Sequence, residues 1–348
     1  MKAPLTMALG LVALLAAPAH AADVALTETG STLLYPLFQR WIPDYTQATP
    51  GVVLSAAATG SGDGIEAAIS GSARIGASDA YMSDEEAKRN RTIVSIPLAI
   101  AAQTVNYNLP GLNAPGLKLS GPALAGIYGG TIAMWDDKAI AVLNPGVQLP
   151  HQAIVPIRRD DASGDTFIFT QFLDFAAPRW GDNIGYGTTV AWPSVVGERV
   201  AVGNEGMVKT LTATPYAVAY VGISFRAAVA EAGLGTAQLE NQSGKFVLPS
   251  AETITAGASA LDARTPPDER LSLVFAPGET SYPLVNYEYA MVSTRQSDPA
   301  AAAALRRFLL WAIARDGGNA PKYLESVGFI PLPDFIRALS EKQIAQIK

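Results

Sequence analysis

The sequence of 348 residues contains no cysteine and only two histidines. The absence of cysteine excludes disulfide bonds, thiol nucleophiles, cysteine-ligated iron–sulfur clusters and a lipid-modified N-terminal cysteine. Export is compatible with this absence. No spacing of His, Asp and Glu typical of a metal site is visible, so the sequence implies neither a metal nor a cofactor.

Basic residues are outnumbered by acidic ones. Lys and Arg number 25 against 31 Asp and Glu, which gives a net charge of −6 at pH 7. This balance argues against nucleic acid as a partner, because nucleic-acid binding relies on Lys and Arg that neutralise phosphates. An acidic protein that binds a small anion must instead use local dipoles and a few placed donors.

No apolar run is long enough to span a bilayer, including the one at the N-terminus. There Lys2 precedes apolar residues 7–17, and residues 19–21 have the small-x-small pattern of a cleavage site. A membrane anchor, the competing interpretation, would need ~18 to 20 apolar residues. Residues 1–21 therefore predict a secretory signal peptide, cleaved after about Ala21, and an exported, periplasmic protein.

The rest of the chain alternates between strand-like and helix-like patterns. Strand-like segments are residues 24–27, 52–58, 74–78, 154–157 and 217–223, and helical periodicity covers residues 33–45, 65–70, 167–175 and 300–314. Pro43 is expected to kink or end the first helix, and Ser83 with Glu86 to form a capping box. This alternation predicts an α/β fold, and the length predicts roughly two lobes.

The longest apolar segment predicts strands that are buried on both faces. It covers residues 93–105 and is interrupted only by Ser95, Gln103 and Thr104. The chain then enters residues 106–111, which we expect to cross between the two lobes.

Three clusters of Ser, Thr, Gly and Asp stand at predicted strand ends, each followed by a helix-like pattern. They are residues 29–32, 60–64 and 161–166. The N-terminus of a helix presents unpaired N–H groups that attract anions, although the same residues are also ordinary caps and turns. Three clusters, with Arg159 beside the third, indicate convergence on one small oxyanion.

The motifs also resemble a known family in their sequence and order. They are residues 29–36 (TGSTLLYP), 60–62 (GSG), 76–79 (GASD), 127–128 (IY), 135–137 (WDD), 143–146 (LNPG) and 159–167 (RDDASGDTF). Over almost the whole mature chain, this set is similar to that of the phosphate-specific solute-binding proteins of ABC transporters.

The resemblance implies a two-lobed α/β periplasmic-binding-protein fold of type II. Each lobe would be a mixed sheet flanked by helices, with a hinge of two crossing segments. One lobe would comprise residues 22–107 plus 284–348, and the other residues 108–283. The implied function is capture of inorganic phosphate between the lobes and its delivery to ABC permease subunits in the inner membrane. We expect a monomer that is not an enzyme.

The resemblance also implies which residues bind the phosphate. The first lobe would supply Thr32, Leu33, Ser61 and Asp79, and the second Arg159, Ser163, Gly164 and Asp165, through hydroxyl groups, backbone N–H groups and a guanidinium. Ser31 and Asp161 would support them, Asp161 by bracing Arg159. The residue types agree with this role, because the Arg fork matches a tetrahedral oxyanion and Gly permits close backbone approach.

Asp79 would decide which anion binds. Phosphate at neutral pH still carries a proton that it can donate to a carboxylate, whereas sulfate has none. A charged hydrogen bond contributes ~1.5 to 3 kcal/mol, and two unit charges about 4 Å apart repel by ~4 kcal/mol at an effective dielectric of about 20. We therefore expect discrimination on the order of a hundredfold to a thousandfold. The alternative is that Asp79 only caps the following turn.

Two acidic residues depart from the usual family pattern. Asp165 stands where many relatives have Thr, and in one branch of the family this Asp faces the phosphate. We hypothesise that it accepts a further proton, favours the monobasic ligand and steepens the pH dependence. Asp63 stands where Gly or Ala is usual, and it either points away and favours the helix N-terminus or weakens binding by repulsion.

Two alternative functions remain at this point. A secreted phosphatase-like hydrolase would use Ser163 as nucleophile, but such chemistry needs a base or a metal beside it. His151, the one histidine after the signal peptide, is expected in an exposed loop. The other alternative is a binding protein for sulfate, molybdate or pyrophosphate, and Asp79 argues against the unprotonated anions.

Overall fold

The computed structural model describes residues 23–348 except residue 115, so the predicted signal peptide lies outside the described residues. The strands are β1 (Val24–Gly30), β2 (Val52–Ser55), β3 (Ile75–Ser78), β4 (Ile93–Asn108), β5 (Lys118–Leu119), β6 (Val155–Arg159), β7 (Arg199–Ala201), β8 (Ala217–Gly222), β9 (Gly235–Thr236), β10 (Gln238–Glu240), β11 (Phe246–Val247) and β12 (Val285–Ser293). The α-helices are α1 (Tyr35–Ala48), α2 (Ser61–Ser70), α3 (Asp84–Arg89), α4 (Gly121–Tyr128), α5 (Lys138–Ala141), α6 (Gly164–Ala176), α7 (Pro178–Asn183), α8 (Gly203–Ala213), α9 (Arg226–Glu231), α10 (Ala251–Ser259), α11 (Pro299–Ile313), α12 (Pro321–Val327) and α13 (Asp334–Ile344). In this part of the chain no helix is both long and apolar enough to cross a membrane.

The predicted α/β class is confirmed, and a mixed sheet with helices around it organises the molecule. Its strand order is β2-β1-β3-β12-β4-β8-β6-β7, with β9 also paired to β4, and β11-β10-β5 form a small second sheet. We call the strands β1, β2, β3 and β12 with their helices the β1 side, and the strands β6, β7 and β8 with theirs the β6 side. Both sides hydrogen-bond to the long central strand β4.

Strand β4 connects the two sides by changing its partner along its length. Residues 93–102 pair with β12, and residues 103–108 pair with β8. The change falls between Ala102 and Gln103, earlier than the crossing expected at residues 106–111, which here form the end of β4 and the turn after it. The apolar run is one uninterrupted strand, because β8 takes over the pairing at the residue after the last one paired with β12.

Parallel pairing brings the polar clusters together at strand ends. Strand β1 is parallel to β2 and β3, and β6 is parallel to β7 and β8. The carboxyl ends of parallel strands lie at one edge of a sheet, which is where α/β proteins bind ligands. The three clusters of the sequence follow β1, β2 and β6.

Local differences from the expected elements have simple causes. Helix α1 continues through Pro43 to Ala48, because its apolar face packs on α11, where Trp41 lies edge-on to Phe308 with ring centroids 6.1 Å apart. Strand β2 ends at Ser55, three residues early. Helix α2 begins at Ser61, inside the second polar cluster and before the helical pattern expected from residue 65. The predicted capping box of Ser83 and Glu86 is confirmed.

Candidate functional site

On the β1 side, a serine and an aspartate meet at the ends of two neighbouring strands. Ser31 follows β1 and Asp79 follows β3, and the Ser31 hydroxyl donates to Asp79 Oδ1. The same Ser31 oxygen accepts the backbone N–H groups of Leu33 and Leu34, at 3.1 and 2.9 Å. At the start of α2, Ser61 Oγ accepts the N–H of Asp79 at 3.1 Å. The side chain of Asp79 is therefore held by its neighbours in one orientation.

On the β6 side, the end of β6 carries a buried arginine between two carboxylates. Arg159 Nε and Nη2 donate to the two oxygens of Asp161, with 2.7 Å from Nε to Oδ1. Arg159 Nη1 donates to Asp165 Oδ2 at 2.6 Å. A guanidinium has five N–H donors. These contacts use three, so two are left for a ligand.

The N-terminus of α6 lies beside this arginine. Ser163 is its N-cap and accepts the N–H of Thr166 at 3.3 Å, which leaves the hydroxyl hydrogen of Ser163 able to donate. The N–H groups of Gly164 and Asp165 belong to the first turn, where a helix offers no acceptor. The positive end of the helix dipole is also located there. This arrangement suits an anion.

The two sides touch each other directly at the cluster residues. A Cβ atom placed on Gly164 would lie 2.4 Å from both Ser61 Oγ and Asp79 Oδ2, so only glycine fits at this contact. The N–H of Gly62 donates to the carbonyl of Ala162 at 2.9 Å, also across the cleft. The structure is therefore a closed form in which donors and acceptors of the two sides face one another.

An asparagine that the sequence analysis did not select joins the two sides. Asn204, near the start of α8, donates from Nδ2 to Thr32 Oγ1 at 2.9 Å and to Asp165 Oδ2 at 2.7 Å. Its Oδ1 accepts the N–H of Gly222 at 2.7 Å. Gln103 of β4 adds a second amide, whose Nε2 donates to Asp165 Oδ1 at 3.1 Å. Both oxygens of Asp165 are thus occupied.

Burial controls the electrostatics of these carboxyls. Burial first, and the charge of Asp165 second, raise the pKa of Asp79 to about 7. Burial also raises the pKa of Asp165, although Arg159 opposes the shift. The pKa of Arg159 is raised by hydrogen bonds and charges of Asp161 and Asp165, which outweigh its burial. Near neutral pH, Asp79 is therefore poised between accepting and donating a hydrogen bond.

Comparisons with known sequences place this site in a family. The model of the PBP superfamily domain matches residues 16–316. The phosphate-binding protein PstS of Methanocaldococcus jannaschii is 34% identical over 343 residues, covering 93% of this chain and 87% of that protein. The chain belongs to the PstS family. The PstS protein of Xylella fastidiosa strain 9a5c is 31% identical over 311 residues, covering 89% of this chain and 82% of that protein.

Solved structures share the fold of this PstS-family chain. A phosphate-binding protein from Stenotrophomonas maltophilia has a TM-score of 0.68 at 21% identity, covering 92% of this chain and 94% of that chain. A phosphate transport receptor from Vibrio cholerae has a TM-score of 0.57 at 19% identity, covering 88% of this chain and 100% of that chain. At such identities the similarity establishes the fold alone, which is the predicted two-lobed one.

The structure brings all the predicted site residues to one place, with two differences in their backbone contacts. They are Thr32, Leu33, Ser61, Asp79, Arg159, Ser163, Gly164 and Asp165, with Ser31 and Asp161 beside them. The N–H of Leu33 donates to Ser31 Oγ, and the N–H of Ser163 donates to the carbonyl of Thr188 at 2.9 Å. A ligand would reach either N–H only if that bond opened.

Two residues outside the site are exposed. For Asp63 this was one of two alternatives, and for His151 it was the expectation. Asp63 lies in the first turn of α2 and points to solvent. Its charge therefore favours the helix N-terminus, without contact to the buried carboxyls. His151 lies on a loop, with its side chain 82% exposed and its Nδ1 2.8 Å from Asp136 Oδ2.

The residues that were missed do leave a signal in the sequence. Gly203 and Asn204 lie at another strand-to-helix junction, between β7 and α8, of the same kind as the three selected clusters. Gln103 interrupts an apolar run. Both signals are weak alone, since polar residues at helix starts and strand ends are common.

Proposed function

We propose that this protein binds inorganic phosphate in the cleft between its two sides and delivers it to the permease of an ABC transporter. The observation that supports this proposal most directly is that Asp79 lies across the cleft from Arg159 and from the N-terminus of α6. One side offers a buried acceptor and the other offers donors. A tetrahedral anion that still carries a proton satisfies both kinds of group at once.

The proposed ligand contacts follow from the hydrogen-bond donors and acceptors of the site that are still available to a ligand. Arg159 would donate its two remaining N–H groups, and Ser163, Ser61 and Thr32 their hydroxyl hydrogens, since their oxygens already accept bonds. The first N–H groups of α6, at Gly164 and Asp165, would complete the donor set. Asp79 would accept the proton of the phosphate.

Closure would couple the two halves of the chain to the ligand. We assign residues 22–107 plus 284–348 to one lobe and residues 108–283 to the other, so that the chain passes between them at the end of β4 and again just before β12. A ligand that contacts both lobes favours the closed state over the open one. Asn204 with Thr32, and Ser224 Oγ with the carbonyl of Leu33 at 2.8 Å, support the closed state by contacts across the cleft.

The proposal includes export, a monomeric state and no catalysis. The relatives are named as binding proteins. A hydrolase using Ser163 would need a base beside it, and His151 is instead exposed on a loop with Asp136. Incubation with a chromogenic phosphate ester tests this point, since dye release above that of a Ser163→Ala variant would support the hydrolase.

Titration calorimetry with phosphate, sulfate and pyrophosphate tests the binding function. We expect one phosphate per chain and at least a hundredfold weaker binding of sulfate near neutral pH. Equal uptake of sulfate and phosphate would contradict the role of Asp79. Tighter binding of pyrophosphate than of phosphate would indicate that the ligand is a larger anion.

A further inference from the structure

A second buried acid lies beside Asp79 and has no place in the site described so far. Glu288 is on β12, and its side chain is completely buried. Tyr289 pairs with Ser78 in the antiparallel register of β12 and β3, which puts Glu288 opposite Asp79. The β12–β4 pairing shifts register between Glu288 and Tyr289. The extra residue, Leu98, is on β4, so the shift leaves the pairing of β12 with β3 unchanged.

The contacts of Glu288 leave one oxygen for Asp79. Glu288 Oε1 accepts Asn286 Nδ2 at 2.7 Å. Within the described residues, Oε2 has no N–H or hydroxyl donor. The register of β12 and β3 places the carboxyl of Asp79 beside that of Glu288, where Glu288 acts to lower the pKa of Asp79 and Asp79 acts to raise that of Glu288. Two ionised carboxylates could not share a hydrogen bond, so such a contact requires a proton on one of the two acids.

The surroundings put this proton on Glu288. Burial, and then the neighbouring charge of Asp79, raise the pKa of Glu288 well above its usual range. The charged groups that face the pair are Asp165 from α6 and Arg159 from β6, and Arg159 favours the ionised form of Asp79. The hydroxyl of Ser31 donates to Asp79 as well. Asp79 is thus the better-supported carboxylate.

We propose that Glu288 is a positioning residue for Asp79, a neutral acid whose donated hydrogen bond favours the ionised form of Asp79 and orients it to accept the proton of phosphate. This role rests on the proposed function. Without the donor, the pKa of the buried Asp79 would rise further, and its protonated form would dominate near neutral pH. A protonated Asp79 can donate to sulfate, so selectivity between the two anions would fall.

Calorimetry on two variants separates donation from simple packing. Glu288→Gln keeps a donor of similar shape that does not titrate, and Glu288→Leu removes the donor. At pH 7 we expect Glu288→Gln to bind phosphate within about threefold of the wild type, and Glu288→Leu to lose about tenfold in its preference for phosphate over sulfate. Glu269→Gln, at another buried acid, is the matched control and should retain wild-type selectivity.

The pH profile provides a readout that packing alone would not change. As pH rises through the raised pKa of Glu288, the wild type gains a second negative charge beside Asp79, and phosphate binding weakens. The ratio of wild-type to Glu288→Gln dissociation constants, in which the titration of phosphate itself cancels, should therefore rise at alkaline pH. A ratio that stays constant, or a Glu288→Gln variant as impaired as Glu288→Leu at pH 7, overturns the proposal.

Infrared difference spectra test the protonation of Glu288 without phosphate. At pH 7 the wild type should show the carbonyl stretch of a protonated acid that Glu288→Gln lacks, and absence of this band overturns the proposal even if Glu288→Leu does not fold. Failure of the wild type to bind phosphate would overturn the proposed function, and with it this role. Phosphate binding with unchanged selectivity in Glu288→Leu would overturn only the role of Glu288.

Discussion

The β1 side and the β6 side offer different chemistry to the same cleft. The β1 side presents the hydroxyls of Thr32 and Ser61 and the carboxyl of Asp79. The β6 side presents a buried arginine and the start of a 13-residue helix. The β6 side can attract any small anion through its positive charge and dipole. The β1 side can tell apart anions that do and do not carry a proton.

The charges of the two sides also explain why anion binding in the cleft depends on the protonation of its acids. Arg159 is the buried cation, while Asp79, Asp161 and Asp165 all lie within the same group of contacts. Adding a phosphate to this set makes the negative charge excessive unless some of these acids, or the ligand, are protonated. Raised pKa values at Asp79 and Asp165 are the expected response of such a site.

The largest expected effect is removal of the cation on the β6 side. Arg159→Ala should weaken phosphate binding by at least about a hundredfold, because charge-assisted hydrogen bonds are lost and both Asp161 and Asp165 lose their cation. Calorimetry measures the affinity, and small-angle scattering measures phosphate-induced compaction. Arg158→Ala is the control, since that side chain pairs with Glu198 at 3.4 Å outside the cleft. Full phosphate-induced compaction of Arg159→Ala would contradict the claim that the β6 side attracts the anion through this cation.

Next in size is the loss of the acceptor on the β1 side. Asp79→Asn should reduce the preference for phosphate over sulfate by about a hundredfold, because the amide can donate to sulfate. In the wild type, sulfate binding should strengthen as pH falls through about 7, where Asp79 takes up a proton. Competition binding across pH checks both effects. Asp63→Asn, at an exposed acid of α2, should behave as wild type; an equal change there would mean that charge alone is responsible.

A smaller effect is expected from the asparagine that joins the two sides. Asn204→Ala removes the contacts to Thr32 and Asp165 and leaves the N–H of Gly222 without its acceptor. We expect about tenfold weaker phosphate binding, through a less stable closed state. Glu205→Ala, the exposed neighbour on α8, is the control. If Asn204→Ala bound phosphate as tightly as the control, the contacts of Asn204 with Thr32 and Asp165 would have no part in closure.

The smallest expected effect concerns the second carboxylate of the β6 side. Since the pKa of Asp165 is raised, the wild type should lose affinity as rising pH ionises this group beside the ligand. Asp165→Asn cannot ionise, so its phosphate affinity should fall about threefold to tenfold less than that of the wild type as rising pH ionises Asp165. Parallel calorimetric titrations of both proteins measure the slopes. Identical slopes would show that Asp165 takes no proton during binding.

Much of the site could be predicted because its residues lie at local signals. Ser31, Ser61 and Ser163 occur where strands end and helices begin, and such junctions depend on only a few neighbouring residues. Asp79 was placed at the end of β3 in the same way. The extent of α1 past Pro43 was not predictable, because packing of Trp41 on α11 outweighs the local preference of proline.

The sequence by itself determined the α/β class, the strand-to-helix junctions and the residue types suited to a protonated anion, because these follow from short-range patterns. Only the tertiary structure decided that Asn204 reaches Thr32, 172 residues away, and that Glu288 lies against Asp79. Both contacts depend on strand register and on packing between distant segments. The raised pKa values follow from the same cause, since burial is a property of the assembled core.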